Sequence, residues 1–194
     1  MQPETHPDYQ AVTDTQRAIW ADGDFHQIAR QNVVMAEALC TAADPHPGER
    51  VLDVACGSGT AALVAARRYC EVTGIDYVPA LIERARMRAA ADALDVEFRV
   101  GDAQALPFAD AAFDVVLSVY GVQFAPDQQR AASELLRVCR PGGRIALAAR
   151  CRRAGAATSL PHMAATSRPH PGSSQRFAGV PATASPNSST PAPA

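Results

Sequence analysis

One stretch, Val51-Leu-Asp-Val-Ala-Cys-Gly-Ser-Gly59, constrains this chain more than any other. Val51 to Ala55 reads as a buried strand that runs into a glycine-hinged turn and then an Ala-rich helix. Strand, turn and helix N-terminus together make a pocket for a nucleotide-like ligand. Gly57 and Gly59 can take backbone angles closed to other residues, and they let a ligand approach the main chain. Asp53 is the unusual member. A carboxylate inside an apolar strand is costly unless it is paired or meets a cation. By letter, Gly57-Ser-Gly59-Thr-Ala-Ala62 also fits the dinucleotide fingerprint G-x-G-x-x-A. Asp53 argues against that reading, because it would repel an anionic pyrophosphate, whereas a ligand bearing an ammonium group suits it.

Around this stretch the chain falls into three parts. Residues 1–44 form a helical preface, with residues 1–11 polar and mobile and a short helix over 14–22 holding Ile19 and Trp20. A second helix is expected from Phe25 to Ala42, stopped by Pro45 and Pro47. Residues 45–150 alternate strand and helix. The strands are expected at Val51–Ala55, Glu71–Ile75, Val96–Val100, Phe113–Val119 and Arg144–Ala149. The helices between them are expected at Gly59–Tyr69, Pro79–Ala93 and Asp127–Cys139. Such alternation implies an α/β, Rossmann-like, doubly wound sheet of five parallel strands with helices on both faces.

Acids recur where the strands end. Asp76 follows the second strand, where a carboxylate can accept hydrogen bonds from a ribose diol. Tyr77 beside it can pack on a base. Asp102 follows the third strand in Val100-Gly-Asp-Ala-Gln-Ala-Leu-Pro-Phe108.

Four segments in order carry a resemblance. Val51-Leu-Asp-Val-Ala-Cys-Gly-Ser-Gly-Thr60 resembles the first motif of the class I S-adenosylmethionine-dependent methyltransferases, with Ala55 where many members have Gly. Val100-Gly-Asp-Ala-Gln-Ala-Leu-Pro-Phe108 resembles the motif in which an Asp accepts from the adenine amino group and the next backbone unit contacts the ring. Those roles would fall on Asp102 and Ala103. Phe113-Asp-Val-Val-Leu-Ser118 resembles the fourth-strand motif, which would put Ser118 near the methionyl end. Leu136-Arg-Val-Cys-Arg-Pro-Gly-Gly-Arg144 resembles the structural turn before the fifth strand. The resemblance spans about residues 15 to 149 and is nearest to small-molecule methyltransferases of the menaquinone/ubiquinone-biosynthesis type. It implies S-adenosyl-L-methionine as cofactor, held by Asp53, Ala55, Gly57, Gly59, Asp76, Tyr77, Asp102, Ala103 and Ser118. It also implies a small organic acceptor and a helical preface that covers the cofactor. The alternatives are a cofactor-binding remnant without turnover and, further off, a nicotinamide-dependent oxidoreductase. No residue stands out as general base. His26 and Tyr120 are candidates, each more easily read as structural.

Composition narrows the class. The five Cys are scattered without C-x-x-C spacing, which argues against a disulfide framework or a zinc site and for a cytoplasmic location. No apolar run is long enough to span a bilayer. Residues 1–150 hold all 20 acids against 14 Arg, and the chain has no Lys. An acidic body is a poor match for a phosphate backbone, so no nucleic-acid partner is expected. Residues 151–194 hold seven Pro, seven Ser and ten Ala and no acid, a composition that reads as disordered. The resembled family continues with two more strands. Their absence is expected of a chain truncated or frame-shifted after about residue 150, with its fifth strand left as a sheet edge.

Overall fold

The computed structural model describes residues 8–22, 32–151 and 160–167. Two helices, α1 (Tyr9–Asp22) and α2 (Val33–Ala43), precede the sheet. Then come β1 (Arg50–Val54), α3 (Thr60–Ala66), β2 (Glu71–Asp76), α4 (Pro79–Ala91) and β3 (Val96–Val100). β4 (Phe113–Val119), a 3-10 turn (Val122–Phe124), α5 (Gln128–Val138), β5 (Cys139–Cys151) and β6 (Leu160–Ser167) complete the order.

The sheet runs β3-β2-β1-β4-β5-β6. The first five strands are parallel, and β6 lies antiparallel to β5, with Ile145 opposite Thr166. The strand order reverses at β1, which has β2 on one side and β4 on the other. In parallel α/β sheets such a reversal opens a crevice beyond the carboxyl ends of the strands.

Strand alternation builds a core on each face. Val51, Val115 and Leu117 pack with Ala36 and Leu39 of α2, Ala61 and Ala65 of α3, and Ile82 and Ala85 of α4. Their neighbours Leu52, Val54 and Val116 point the other way, to Leu135 and Val138 of α5. Successive strand side chains face opposite sides, so near-continuous apolar runs are what a sheet covered on both faces requires.

The five parallel strands lie where the sequence places them, with differences at the ends and in the flanks. α1 begins at Tyr9, inside the stretch expected to be mobile. Asp8 accepts from the Gln10 and Ala11 N–H groups and so caps its first turn. The helix expected from Phe25 is described only from Val33, residues 23–31 lying outside the described residues. β5 starts at Cys139 rather than Arg144, because a register shift between Phe113 and Val115 lets Arg140-Pro-Gly-Gly143 run on with the sheet. Leu160–Ser167 forms a strand where composition implied disorder, and so β5 is not the edge of the sheet. A strand at an open sheet edge draws its order from backbone hydrogen bonding, which composition does not report.

The two loop glycines differ. Gly57 has φ +55, and a Cβ built there would meet nothing within 4 Å. Gly59 has φ +81, and a Cβ there would lie 2.8 Å from Phe98 Cζ and 3.1 Å from the Ala85 Cβ. Gly59→Ala therefore adds overpacking of a buried ring to the left-handed backbone penalty. Its expected cost is about 2 kcal/mol more than that of Gly57→Ala in urea unfolding.

Candidate functional site

Asp53 sits in β1, 1 % exposed, on the face that carries α3. Its Oδ2 accepts from the Ala62 N–H at 2.9 Å, in the first turn of α3, where the backbone donors lack helical partners. The buried acid is thus paired within the chain. Burial still pushes its carboxyl up to about 7, with a further push from Asp76 and an opposing pull from the Ala62 N–H.

Asp76 ends β2. Its Oδ2 accepts from the Gly57 N–H and its Oδ1 from the Val78 N–H, both at 2.9 Å. One carboxylate therefore links the glycine turn to the loop after β2. Burial raises its pKa too, against the pull of these backbone donors. Ala55 holds φ +54, a left-handed conformation that explains why a Gly suits this position in the resembled family.

Asp102 follows β3. Its Oδ1 accepts from the Gln104 N–H at 2.8 Å, and its two oxygens accept from Gln104 Nε2 at 3.2 and 3.1 Å. The loop beyond it is held by α5: Glu134 accepts from the Leu106 N–H, and Arg137 donates to the Leu106 and Phe108 carbonyls.

The three acids converge on a single cavity of about 460 Å³. Ala55, Gly57, Tyr77 and Ala103 line it as well. Tyr77 is half-buried, with the Arg17 guanidinium 5.6 Å from its ring centre, and burial beside Asp76 and Asp102 pushes its hydroxyl up to about 12. Thr13, Gln16 and Trp20 of α1 close one side. Among the described residues that line this space there are three carboxylates and no Arg or His. Cys56 lies in the wall, but burial followed by Asp53 and Asp76 raises its pKa well above the usual thiol range, so it stays a thiol.

Two expected residues are not in the wall. Gly59 turns its open side to Phe98, so its lack of a side chain serves helix–sheet packing rather than ligand approach. Ser118 is fully buried. Its hydroxyl donates to the Val54 carbonyl at 2.7 Å and accepts from the Val122 N–H at 3.1 Å, joining β1 to the turn after β4. Of the two base candidates, Tyr120 lines the cavity. His26 lies outside the described residues.

Gln104 is the residue that sequence reasoning missed. It is 8 % exposed, and its Nε2 donates to Thr13 Oγ1 as well as to Asp102. Its Oε1 accepts from the N–H of Asp127, the residue that caps α5. One amide thus joins α1, the Asp102 loop and α5. The signal was a polar residue between small apolar ones, which a single sequence does not separate from a surface loop. Gln104→Leu is expected to cost about 1–2 kcal/mol of stability and to raise amide exchange in α1 above that in β1. Uniform exchange would remove its linking role.

Comparisons with known proteins agree with this fold. The methyltransferase domain family matches residues 52–147. An uncharacterized protein of Mycobacterium tuberculosis is 48% identical over 137 residues, 70% of this chain and 50% of that one. The demethylmenaquinone methyltransferase of Deinococcus radiodurans is 40% identical over 114 residues, 58% of this chain and 45% of that one. The crystal structure of the [4+2]-cyclase SpnF superposes with a TM-score of 0.61 at 31% identity, covering 64% of this chain and 48% of that one. The chain spans about half the length of the curated relatives it matches. No helix among the described residues is long and apolar enough to cross a membrane. Sheet order and family match agree: residues 52–147 match the methyltransferase domain family and fold as a parallel α/β sheet of that kind.

Proposed function

We propose that this chain binds S-adenosyl-L-methionine and transfers its methyl group to a small organic acceptor. The observation that carries the reading is a cavity walled by three carboxylates from consecutive strand ends, with no Arg among its described lining residues. A cationic nucleoside fits such a wall, and a pyrophosphate would be repelled by it. When bound, the cofactor supplies a methyl group on a positively charged sulfur, and transfer to a nucleophile leaves a neutral thioether.

The chain's own residues bind and orient. Asp76, fixed by the Gly57 and Val78 N–H groups, has lone pairs left for a ribose diol. Asp102, aligned by Gln104, would accept from an adenine amine, with the Ala103 backbone beside it and the Tyr77 ring as packing surface. Asp53 and the Gly57 turn would face the ammonium group. Helix α1 closes one side of the cavity and so limits the entry of water, which helps hold an acceptor in line. Tyr120 lines the same cavity, and an acceptor that loses no proton needs no general base.

Fold does not fix the reaction, as the cyclase neighbour illustrates. The test is calorimetry with S-adenosylmethionine followed by turnover on a panel of acceptors. Saturable binding with methylated product is the expected result. Binding without product on any acceptor favours a cofactor-binding chain that does not turn over. No binding at all removes the reading.

A further inference from the structure

The glycine turn after β1 has an unusual backbone. Ala55, Gly57 and Gly59 all hold positive φ, at +54, +55 and +81. A run of this kind keeps one shape only where contacts around it impose that shape. Asp76, which lines the cavity, supplies one contact by accepting from the Gly57 N–H. A second anchor comes from α4, and it is a cation.

Arg88 follows Ala85 by three residues on α4, so the two share a face of the helix. Ala85 is small, and its Cβ lies 3.1 Å from where a side chain at Gly59 would begin. The helix therefore comes close enough for Arg88 to reach the turn. Its Nη1 donates to the Ser58 carbonyl at 2.6 Å and stands 3.1 Å from both Ser58 Oγ and Thr60 Oγ1. One charged nitrogen thus gathers three neutral oxygens of two buried residues, and a charged donor makes such bonds strong. Burial lowers the pKa of this half-buried guanidinium, which still stays charged at neutral pH. Ser58 and Thr60 line the cavity, and Arg88 does not.

We propose that Arg88 is a positioning residue: from outside the cavity it fixes the Ser58 carbonyl, and so the face that the glycine turn offers to the amino-acid end of the cofactor. The inference rests on the methyl-transfer reading, in which Asp53 and this turn face the ammonium group. It divides the site in two. Asp76 and Asp102 seat the nucleoside, while the seat of the amino-acid end takes its shape from a residue that touches no ligand. Without the guanidinium the buried Ser58 carbonyl loses its donor, and the turn relaxes to regain one.

The full chain and its Arg88→Met and Arg88→Lys variants are titrated by calorimetry, each well below its melting temperature. The ligands are S-adenosylhomocysteine and methylthioadenosine, which carries the nucleoside without the amino-acid end. Arg86→Met is the control, because Arg86 lies on the same helix but donates to the Phe98 carbonyl of β3 at 2.7 Å rather than to the turn. Arg88→Met is expected to weaken S-adenosylhomocysteine by about tenfold and methylthioadenosine by no more than about twofold. Arg88→Lys keeps the charge on a shorter stem and should recover part of the loss. If Arg88→Met does not fold, the same selective loss, of about threefold, is read on Arg88→Lys. Arg86→Met should leave both ligands within about twofold. Equal loss of the two ligands in the Arg88 variants, or no loss of S-adenosylhomocysteine, overturns the proposal. So does a native chain that holds S-adenosylhomocysteine but not methylthioadenosine, because the nucleoside would then have no seat of its own. Failure of the native chain to bind S-adenosylhomocysteine overturns the methyl-transfer reading itself.

Discussion

Asp76→Ala is expected to weaken S-adenosylmethionine binding by about 1.5–3 kcal/mol, roughly ten- to a hundredfold or more. The same change also loosens the site before any ligand arrives. The carboxylate satisfies the Gly57 and Val78 N–H groups with separate oxygens, and both donors lose their partner in the variant. A fold loss of about 2–3 kcal/mol follows if water replaces the carboxylate poorly. Asp76→Asn separates charge from geometry. Asn has one acceptor oxygen, so its NH₂ must face one of the two backbone donors. The Asn variant should therefore melt close to the Ala variant, despite its similar shape. Thermal melts and calorimetry on the three proteins check both parts. Unchanged affinity in Asp76→Ala would take this residue out of the site.

The second large effect concerns pH. Asp53 is an acid whose folded pKa is raised, from 3.8 to about 7, chiefly by burial. Below about pH 4 both folded and unfolded chains hold its proton, and the group makes no difference. As pH rises toward 7 the unfolded chain releases the proton while the folded chain keeps it, so stability falls. Above 7 both are ionised and the penalty is constant. Asp76 shifts in the same direction and adds to the trend. Asp53→Asn keeps an oxygen for the Ala62 N–H and removes the charge. The variant should match the native chain near pH 4 and exceed it by on the order of a few kcal/mol at pH 8. Cofactor affinity should move the other way. A bound ammonium favours the ionised Asp53, so native affinity rises with pH up to about 7 and then levels. Asp53→Asn should bind more weakly at pH 8 and show a flatter profile. A variant less stable than the native chain at pH 8 would contradict the buried, strained carboxyl described here.

The elements best read from the chain are those with a strong local pattern. β1 and β4 are apolar on both faces, and the glycines after β1 and the acids after β2 and β3 punctuate clearly. The convergence of Asp53, Asp76 and Asp102 followed from their place at successive strand ends, because a parallel sheet brings those ends together. What escaped depends on contacts between distant segments. Ser118 ends a motif and on sequence alone resembles a ligand residue, yet it bonds Val54, 64 residues away. Gln104 meets Thr13 across 91 residues, a pairing no local window reveals. The start of α1 was hidden because Tyr9, Val12 and Ile19 stay exposed, which blurs any apolar stripe. β6 was hidden because its segment lacks the alternation of a half-buried strand and its order comes from pairing with β5.

Three acids from consecutive strand ends are expected to select a cationic nucleoside over an anionic dinucleotide. Parallel calorimetric titrations of the unmodified chain with S-adenosylmethionine and with NADH test it most directly. Saturable binding of the first and none of the second is the expected result. Saturable NADH binding with no heat from S-adenosylmethionine would contradict it.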